Sequence, residues 1–459
     1  MRARLEERRQ ANALRDVLPP TPLIDFSSND YLGLARGGEL AARVAERLYG
    51  LSMVGAAQAG VLRGGAEAGL HAQARTGDEA GLHAQARAGA EAHLHAQARA
   101  GAEAHLHAQA RAGAGASRLL GGNFPLLEEL EAHAAAFHHS EAGLFFTSGY
   151  AAQSGLISTV AARGDILLYD TLVHASAHEG MRLSPAARYP FAHNQVADLT
   201  AVGESAVQRA AQKGAAELTG ASAPSGTPAP QVFVLVESIY SMDGDLAPLA
   251  EIAAACSQRG WHLLVDEAHA GGLAGPHGEG LVVELGLEAQ VFARLITYGK
   301  AFGAAGGMVL GSALLRQYLI NYCRAFIYST GPLVAQVVTV QEAYRLVTAA
   351  DAARQHLRAL RRALVDGLAP CWHLPGAPPE RDSPSAIVPL YCPGNEAVLR
   401  LSARLASAGY DVKPVRAPSV PVGQERLRCC LHADQPEPDG LLGVLGGGVR
   451  LPLLSYSKK

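Results

Sequence analysis

Charge, cysteine order and long apolar runs are what this sequence has little of, and each shortage excludes something. Only 18% of the 459 residues are charged and the formal net charge is -3, so no basic surface points to a nucleic-acid partner. No apolar run reaches the length of about 18 residues that a membrane span requires. The Arg-rich stretch Met1 to Pro20 is interrupted by Glu6, Glu7 and Asp16 and lacks the apolar core of a secretion signal. It reads as an amphipathic surface helix, and the chain as cytoplasmic. The six cysteines (Cys256, Cys323, Cys371, Cys392, Cys429 and Cys430) form no CxxC pair, which reads as scattered reduced thiols. With hydrophobic residues at 49%, the chain is long enough for a large core and two domains.

A tandem repeat is the least ordinary feature. Its unit of twelve residues begins at His71, His83, His95 and His107, and HAQARAGAEAHL from His83 recurs unchanged from His95. Ala56 to Leu70 resembles a degenerate copy. Twelve helical residues at about 100° each leave an offset of roughly 120° per copy, so no single apolar stripe forms. Each unit also carries a Gly, which costs about 1 kcal/mol against Ala in a helix. Roughly residues 51–110 therefore read as a surface insertion, disordered or loosely helical. The pairs His93/His95 and His105/His107 face apart on a helix, and no cysteine or carboxylate completes a ligand set, so no metal is expected.

After the insert, short apolar runs alternate with helical stretches. Leu144–Phe146, Ile166–Tyr169, Val232–Val236, Leu263–Val265, Leu295–Thr297 and Met308–Leu310 are candidate strands. Ala-rich amphipathic segments such as Ala247–Gln258 lie between them. This alternation predicts a mostly parallel α/β sheet covered on both faces. Gly220 to Pro230 reads as a surface loop. A long helical stretch follows at Gln336–Leu368, then strands at Ala386–Leu390, Val412–Val415 and Leu427–Leu431, predicting a smaller α/β domain.

The chemistry concentrates at strand ends. Lys300, in Thr297-Tyr298-Gly299-Lys300-Ala301-Phe302-Gly303, follows an apolar strand among small residues. A lysine confined there loses its proton more readily, which suits Schiff-base chemistry, although the motif alone also fits a surface lysine in a turn. Asp266, in Val265-Asp266-Glu267-Ala268-His269, stands at the carboxyl end of the strand before it. A carboxylate there could hold a pyridinium nitrogen protonated; the plainer alternative is a helix cap. Thr147-Ser148-Gly149-Tyr150-Ala151 opens a helix, whose backbone N–H groups can hold a phosphate. His174 could stack on a cofactor ring or be structural. Ser238 to Asp245 places a hydroxyl and a tight turn at the same edge.

Together these segments resemble the α-oxoamine synthase family of fold-type I pyridoxal-phosphate enzymes. The resemblance rests on Asn29 to Leu34 (NDYLGL), Gly113 to Arg118 (GAGASR), SGYAA, LVHAS, YSMDGD, VDEAH and TYGKAFG in that order. Ala417 to Pro421 and Arg426 to Arg428 continue it. It implies an aspartate aminotransferase-like α/β fold, with a mixed, mostly parallel seven-stranded sheet and a smaller C-terminal α/β domain. The expected divisions are 1–40, 41–335 with the repeat insertion at 51–112, and 336–459.

It also implies roles. Lys300 carries pyridoxal 5'-phosphate, Asp266 pairs with its ring nitrogen, His269 contacts the ring hydroxyl and His174 stacks on the ring. Gly149, Tyr150, Ser241 and Thr297 help to hold the cofactor. Arg15, Asn29, Ser419 and Arg428 match substrate-side positions, with Arg428 a partner for the amino-acid carboxylate. SMDGDLAPL and the segment around Ser419 point to members that join L-alanine to a pimeloyl thioester, carried by CoA or an acyl carrier protein. Glycine C-acetyl transfer, or a cofactor-binding protein without catalysis whose repeat is an interaction module, are the alternatives. Relatives are homodimers.

Three departures from the family pattern stand out. The repeat lands directly before Gly113–Arg118, a loop that lies near the active site and dimer interface in relatives. Tyr328 to Leu333 is about one residue shorter than the usual run. The segment between Pro19 and Phe26 lacks the hairpin many relatives carry.

Overall fold

A computed structural model describes residues 1–14, 17, 21–52, 112–218, 229–369, 372 and 379–446. Arg15, Cys371, the loop at 220–228 and nearly all of the repeat lie outside the described residues.

The strands, in chain order, are β1 (Ile24–Asp25), β2 (Ala142–Phe146), β3 (Ile166–Asp170), β4 (Ala187–Phe191), β5 (Val232–Glu237), β6 (His262–Asp266), β7 (Ala293–Thr297), β8 (Gly307–Gly311), β9 (Ile387–Tyr391), β10 (Tyr410–Asp411), β11 (Pro414–Val415) and β12 (Arg426–Cys430). Seven of them form one sheet in the order β2-β8-β7-β6-β5-β3-β4. Only β8 runs against its neighbours in that sheet. Every residue of β5 is buried, as expected of a central strand covered on both faces.

One face carries helices Gly149–Val160, Ala175–Leu183 and Ala313–Tyr322; the other carries Val196–Leu218 and Leu249–Arg259. The helix starts are locally encoded. Ser148 and Ser312 cap theirs by accepting from Ala151 N and Leu315 N, both at 3.1 Å. Gly260, at φ 65°, ends Leu249–Arg259 in the left-handed conformation that glycine adopts freely.

All six strands expected in this sheet are present, extended by one or two residues. The seventh, β4, escaped the sequence reading. It contains Pro190, and four of its five residues are exposed or half-buried, so it shows no apolar run. Proline is tolerated because β4 is an edge strand.

The C-terminal part differs in two places. The expected helix over 336–368 is two, Val334–Thr348 and Asp351–Gly367, broken at Ala349-Ala350. The second is anchored by the buried Arg361, whose guanidinium donates to Glu380 O (2.8 Å), Ser385 O (3.0 Å) and Ile387 O (2.7 Å). Of the expected strand Val412–Val415 only the last two residues are strand, as β11; Val412 and Lys413 link it to β10, which lies before the expected start. β10 pairs in parallel with β1, and β11 joins the antiparallel sheet β11-β12-β9.

The β1–β10 pairing positions the site. Phe26 N donates to Asp411 O (2.9 Å), Cys430 N to Phe26 O (2.8 Å) and Ala433 N to Tyr31 O (2.8 Å). Residues 24–31 are thereby sewn to β12. The loop after the repeat is held too: Ser117 bridges Thr330, and Gly331 N donates to Ala116 O at 2.9 Å. Arg118 reaches the buried Glu131, which also accepts from Phe145 N (2.8 Å) and Arg316 (2.8 Å).

The N-terminal helix is Arg2–Gln10, and none of its residues is buried. The five described cysteines are free and buried. Among the described residues no helix is long and apolar enough to cross a membrane, and no cluster of potential metal ligands occurs.

Candidate active site

Parallel strands deliver their carboxyl ends to one edge of a sheet, which is where open α/β folds form their crevices. Here that edge receives Gly149 after β2, His174 after β3, Glu237 at the end of β5, Asp266 at the end of β6, Thr297 at the end of β7 and Lys300 in the turn after it. All six line one cavity, with Tyr150, Gln153, Ser176, Ala268, Leu295 and His269.

Lys300 Nζ lies 2.7 Å from His269 Nε2. Burial pushes the lysine down to about 8, opposed by the carboxyls of Asp266 and Glu237. Burial also holds His269 well below its ordinary value, reinforced by the charges of Lys300 and Arg428, so its imidazole is neutral. The other ring nitrogen, Nδ1, is 2.7 Å from Tyr31 OH. Burial raises Asp266, with Lys300 and the Ala268 amide pulling the other way; that amide donates to Oδ1 at 2.9 Å.

A second group of residues adjoins the first. Arg428 Nη1 donates to Asn29 Oδ1 at 2.9 Å, Nη2 approaches Tyr31 OH at 3.4 Å, and Nε donates to Ser241 O at 2.6 Å. Tyr31 OH donates to Asn29 Oδ1 at 3.0 Å. A continuous hydrogen-bonded path thus runs from Lys300 through His269 and Tyr31 to Asn29 and Arg428.

The expected site residues fall into three sets. Gly149, Tyr150, His174, Asp266, His269, Thr297 and Lys300 line the cavity. Asn29, Ser241 and Arg428 belong to the adjoining network. Ser419 sits on an exposed turn and does not line this cavity, and Arg15 lies outside the described residues. His174 stands exposed at the cavity wall and caps Ala175–Leu183, its Nδ1 2.7 Å from Ser176 Oγ.

Sequence reading missed Tyr31, Gln153, Ser176 and Glu237. Tyr31 lay inside the NDYLGL motif and Glu237 beside the turn at Ser238, so position in a motif was the available signal.

The cavity fits pyridoxal phosphate group by group. It offers one amine for a carbonyl carbon and a buried carboxylate for a ring nitrogen. The N-terminus of the twelve-residue helix Gly149–Val160 suits a phosphate. Gly149 keeps that end open: a Cβ there would lie 2.7 Å from Thr297 Oγ1.

Comparison with known proteins agrees. The aminotransferase class I and II family matches residues 89–443. The 8-amino-7-oxononanoate synthase of Emericella nidulans is 40% identical over 346 residues, covering 72% of this chain and 79% of the relative. A solved serine palmitoyltransferase from Sphingomonas wittichii is 30% identical with a TM-score of 0.64, covering 74% of this chain and 81% of its own. A high-resolution structure of SPT with PLP gives a TM-score of 0.69 at 25% identity, covering 92% of this chain and 86% of that one. By family match, identity and fold, this chain belongs to the aminotransferase class I and II family, and within it to the pyridoxal-phosphate-dependent α-oxoamine synthases.

Proposed function

We propose that the chain joins L-alanine to a pimeloyl thioester, releasing carbon dioxide and the free thiol and yielding 8-amino-7-oxononanoate, a step of biotin biosynthesis. The observation that carries this reading is the path joining Lys300 to Arg428: Lys300 Nζ to His269 Nε2 at 2.7 Å, and His269 Nδ1 to Tyr31 OH at 2.7 Å. What supports the reading is that an amine and a guanidinium suited to an amino-acid carboxylate share one network. The 40% identity to an 8-amino-7-oxononanoate synthase supports the choice of substrates.

Bound pyridoxal phosphate supplies an electron sink for bonds broken at the amino acid's α-carbon. Lys300 holds the cofactor at rest through its amine, which burial keeps easily deprotonated. Asp266 would hold the ring nitrogen protonated by its charge, and the neutral His269 would hydrogen bond the ring hydroxyl. His174, on the cavity wall, would pack against the cofactor. The amides at Gly149 and Tyr150, with Ser241 and Thr297, bind and orient the remaining cofactor groups. Arg428, kept in place by Asn29 and Ser241 O, binds the alanine carboxylate.

With its amine free and neutral, Lys300 would take the proton from the substrate's α-carbon. The electron pair left there forms the new carbon–carbon bond at the thioester carbonyl, and the thiolate leaves with the electrons of its C–S bond. Loss of carbon dioxide returns an electron pair to the α-carbon, which takes up a proton.

We read the enzyme as a cytoplasmic homodimer. Leu120, Tyr328 and Leu333, all exposed, flank the paired segments 116–118 and 330–331.

The test combines purified protein, pyridoxal phosphate, L-alanine and pimeloyl-CoA, with product mass as readout. The mass of 8-amino-7-oxononanoate is expected. Product only from glycine and acetyl-CoA would reassign the substrates; bound cofactor with no product from any amino acid and acyl-CoA would overturn catalysis. Borohydride reduction followed by peptide mapping should place the cofactor on Lys300, and a label elsewhere removes that assignment.

A further inference from the structure

The cavity floor holds a second carboxyl that the proposed chemistry does not use. Glu237 ends β5 and is the register partner of Asp266 at the end of β6, so the two acidic side chains stand side by side across adjacent parallel strands. Glu237 is 2% exposed and Asp266 is 7% exposed. Both line the cavity. Glu237 Oε2 accepts from the Ser241 amide at 3.2 Å, while its buried Oε1 has no hydrogen-bond partner. Buried oxygens are rarely left so, and an ionised carboxylate with a bare oxygen beside another carboxylate is costly.

We infer that Glu237 is a positioning residue that keeps its proton beside Asp266, so that the pair presents a single negative charge to the cofactor's ring nitrogen. The inference rests on the reading that Asp266 and Lys300 hold the cofactor.

The surroundings favour this division of the proton. The groups facing Glu237 are Asp266 from β6, Lys300 from the turn after β7, His174 from the turn after β3, and Tyr240 from its own turn. Burial is the largest influence on Glu237 and the charge of Asp266 the next; both favour the acid form and outweigh the Lys300 charge and the His174 and Ser241 amides, which oppose it, so Glu237 is pushed up to about 8. Asp266 is buried too, but it is drawn toward ionisation by Lys300, the Ala268 amide and Gln153. A protonated Glu237 also gains an O–H that can donate from the otherwise bare side of the carboxyl. With one proton on the pair, Asp266 keeps its charge for the ring nitrogen and Lys300 faces one carboxylate. With both ionised, the excess negative charge would hold the Lys300 ammonium protonated and unreactive.

The test uses the full chain, before and after loading with pyridoxal phosphate, in the parent and in E237Q, which matches Glu237 in shape and stays neutral. At pH 7 the parent-minus-E237Q infrared spectrum should contain a carboxylic-acid C=O band. The subtraction removes other buried acids such as Glu267. In the parent the band should titrate away near pH 8, and the loaded protein's absorbance should carry a matching transition that E237Q lacks. No difference band at pH 7, or an unchanged transition in E237Q, overturns the inference. Should E237Q fail to fold, D266N serves instead: removing the neighbouring charge must move the parent's transition to lower pH, and an unmoved transition overturns the inference. The infrared arm on unloaded protein does not depend on where the cofactor attaches. A borohydride label away from Lys300 would therefore sink the cofactor reading without being mistaken for failure here.

Discussion

Tyr31 OH lies 2.7 Å from His269 Nδ1, and that contact ties a segment near the N-terminus to the residue beside Lys300. The hydroxyl has one proton and three polar neighbours: His269, Asn29 and Arg428. If Tyr31 donates to Asn29, His269 must donate through Nδ1, and its bare Nε2 then accepts from Lys300. The tyrosine thus selects the imidazole tautomer that faces the amine.

Tyr31→Phe tests this coupling. The ring is buried and keeps its packing, but three polar groups lose a partner at about 1–3 kcal/mol. We expect kcat/KM for alanine to fall roughly 10- to 100-fold, with cofactor affinity far less affected. Parental kcat/KM in steady-state assays would end the role assigned to Tyr31.

Gly149→Ala tests the phosphate end. The new Cβ would stand 2.7 Å from Thr297 Oγ1 and 2.9 Å from Thr297 Cβ, so either the threonine or the helix start must move. Overpacking of this kind costs about 1–3 kcal/mol. The dissociation constant for pyridoxal phosphate, read by absorbance titration, should rise about tenfold; parental affinity would show that the helix start is not a tight cradle.

His193 carries a pH signature outside the cavity. Its Nδ1 is 2.9 Å from Asp170 and its Nε2 2.8 Å from Asp245, in the turn that follows Ser241. Burial lowers the imidazole, but the two carboxylate hydrogen bonds more than offset this and raise it to about 9. A folded value above the unfolded value of about 6.5 means that the proton stabilises the fold. That contribution, at most about 3 kcal/mol, is complete below about pH 6.5 and disappears as pH rises through about 9. His193→Gln should therefore lower Tm most at or below pH 6.5 and least above pH 9. A Tm difference independent of pH would refute this.

Deleting about residues 53–110 should leave fold and cofactor binding intact. The repeat offers little apolar area, and the glycine-rich loop is held by its own contacts at Ser117–Thr330 and Gly331–Ala116. The deletion variant is expected to keep its cofactor absorbance and to melt no lower than the parent. A Tm lower by several degrees, or a changed oligomeric state in light scattering, would assign the repeat a structural part.

The sequence by itself determined what is local. Apolar runs such as Val232–Val236 specify buried strands because only a strand covered on both faces needs continuous side-chain burial. Asp266, Lys300 and Gly149 were legible because strand ends in parallel sheets gather at one edge whatever the loops between them. Helix starts at Ser148 and Ser312 were likewise written in single residues. Tertiary structure alone decided whatever depends on which distant segments meet. Pro190 hid β4 until its edge position made a missing N–H harmless. Nothing in Ala349-Ala350 announces a helix end, and Val412-Lys413 falls outside both strands because β1 pairs with the residues before it and β12 with those after it. The same holds in the site. Tyr31 and Glu237 look ordinary in sequence, and their roles arise because residues 24–31 are stitched to β12 and because β5 lies in register beside β6. Pairing across hundreds of residues leaves no periodic trace in the chain, since its free energy comes from contacts made only after folding.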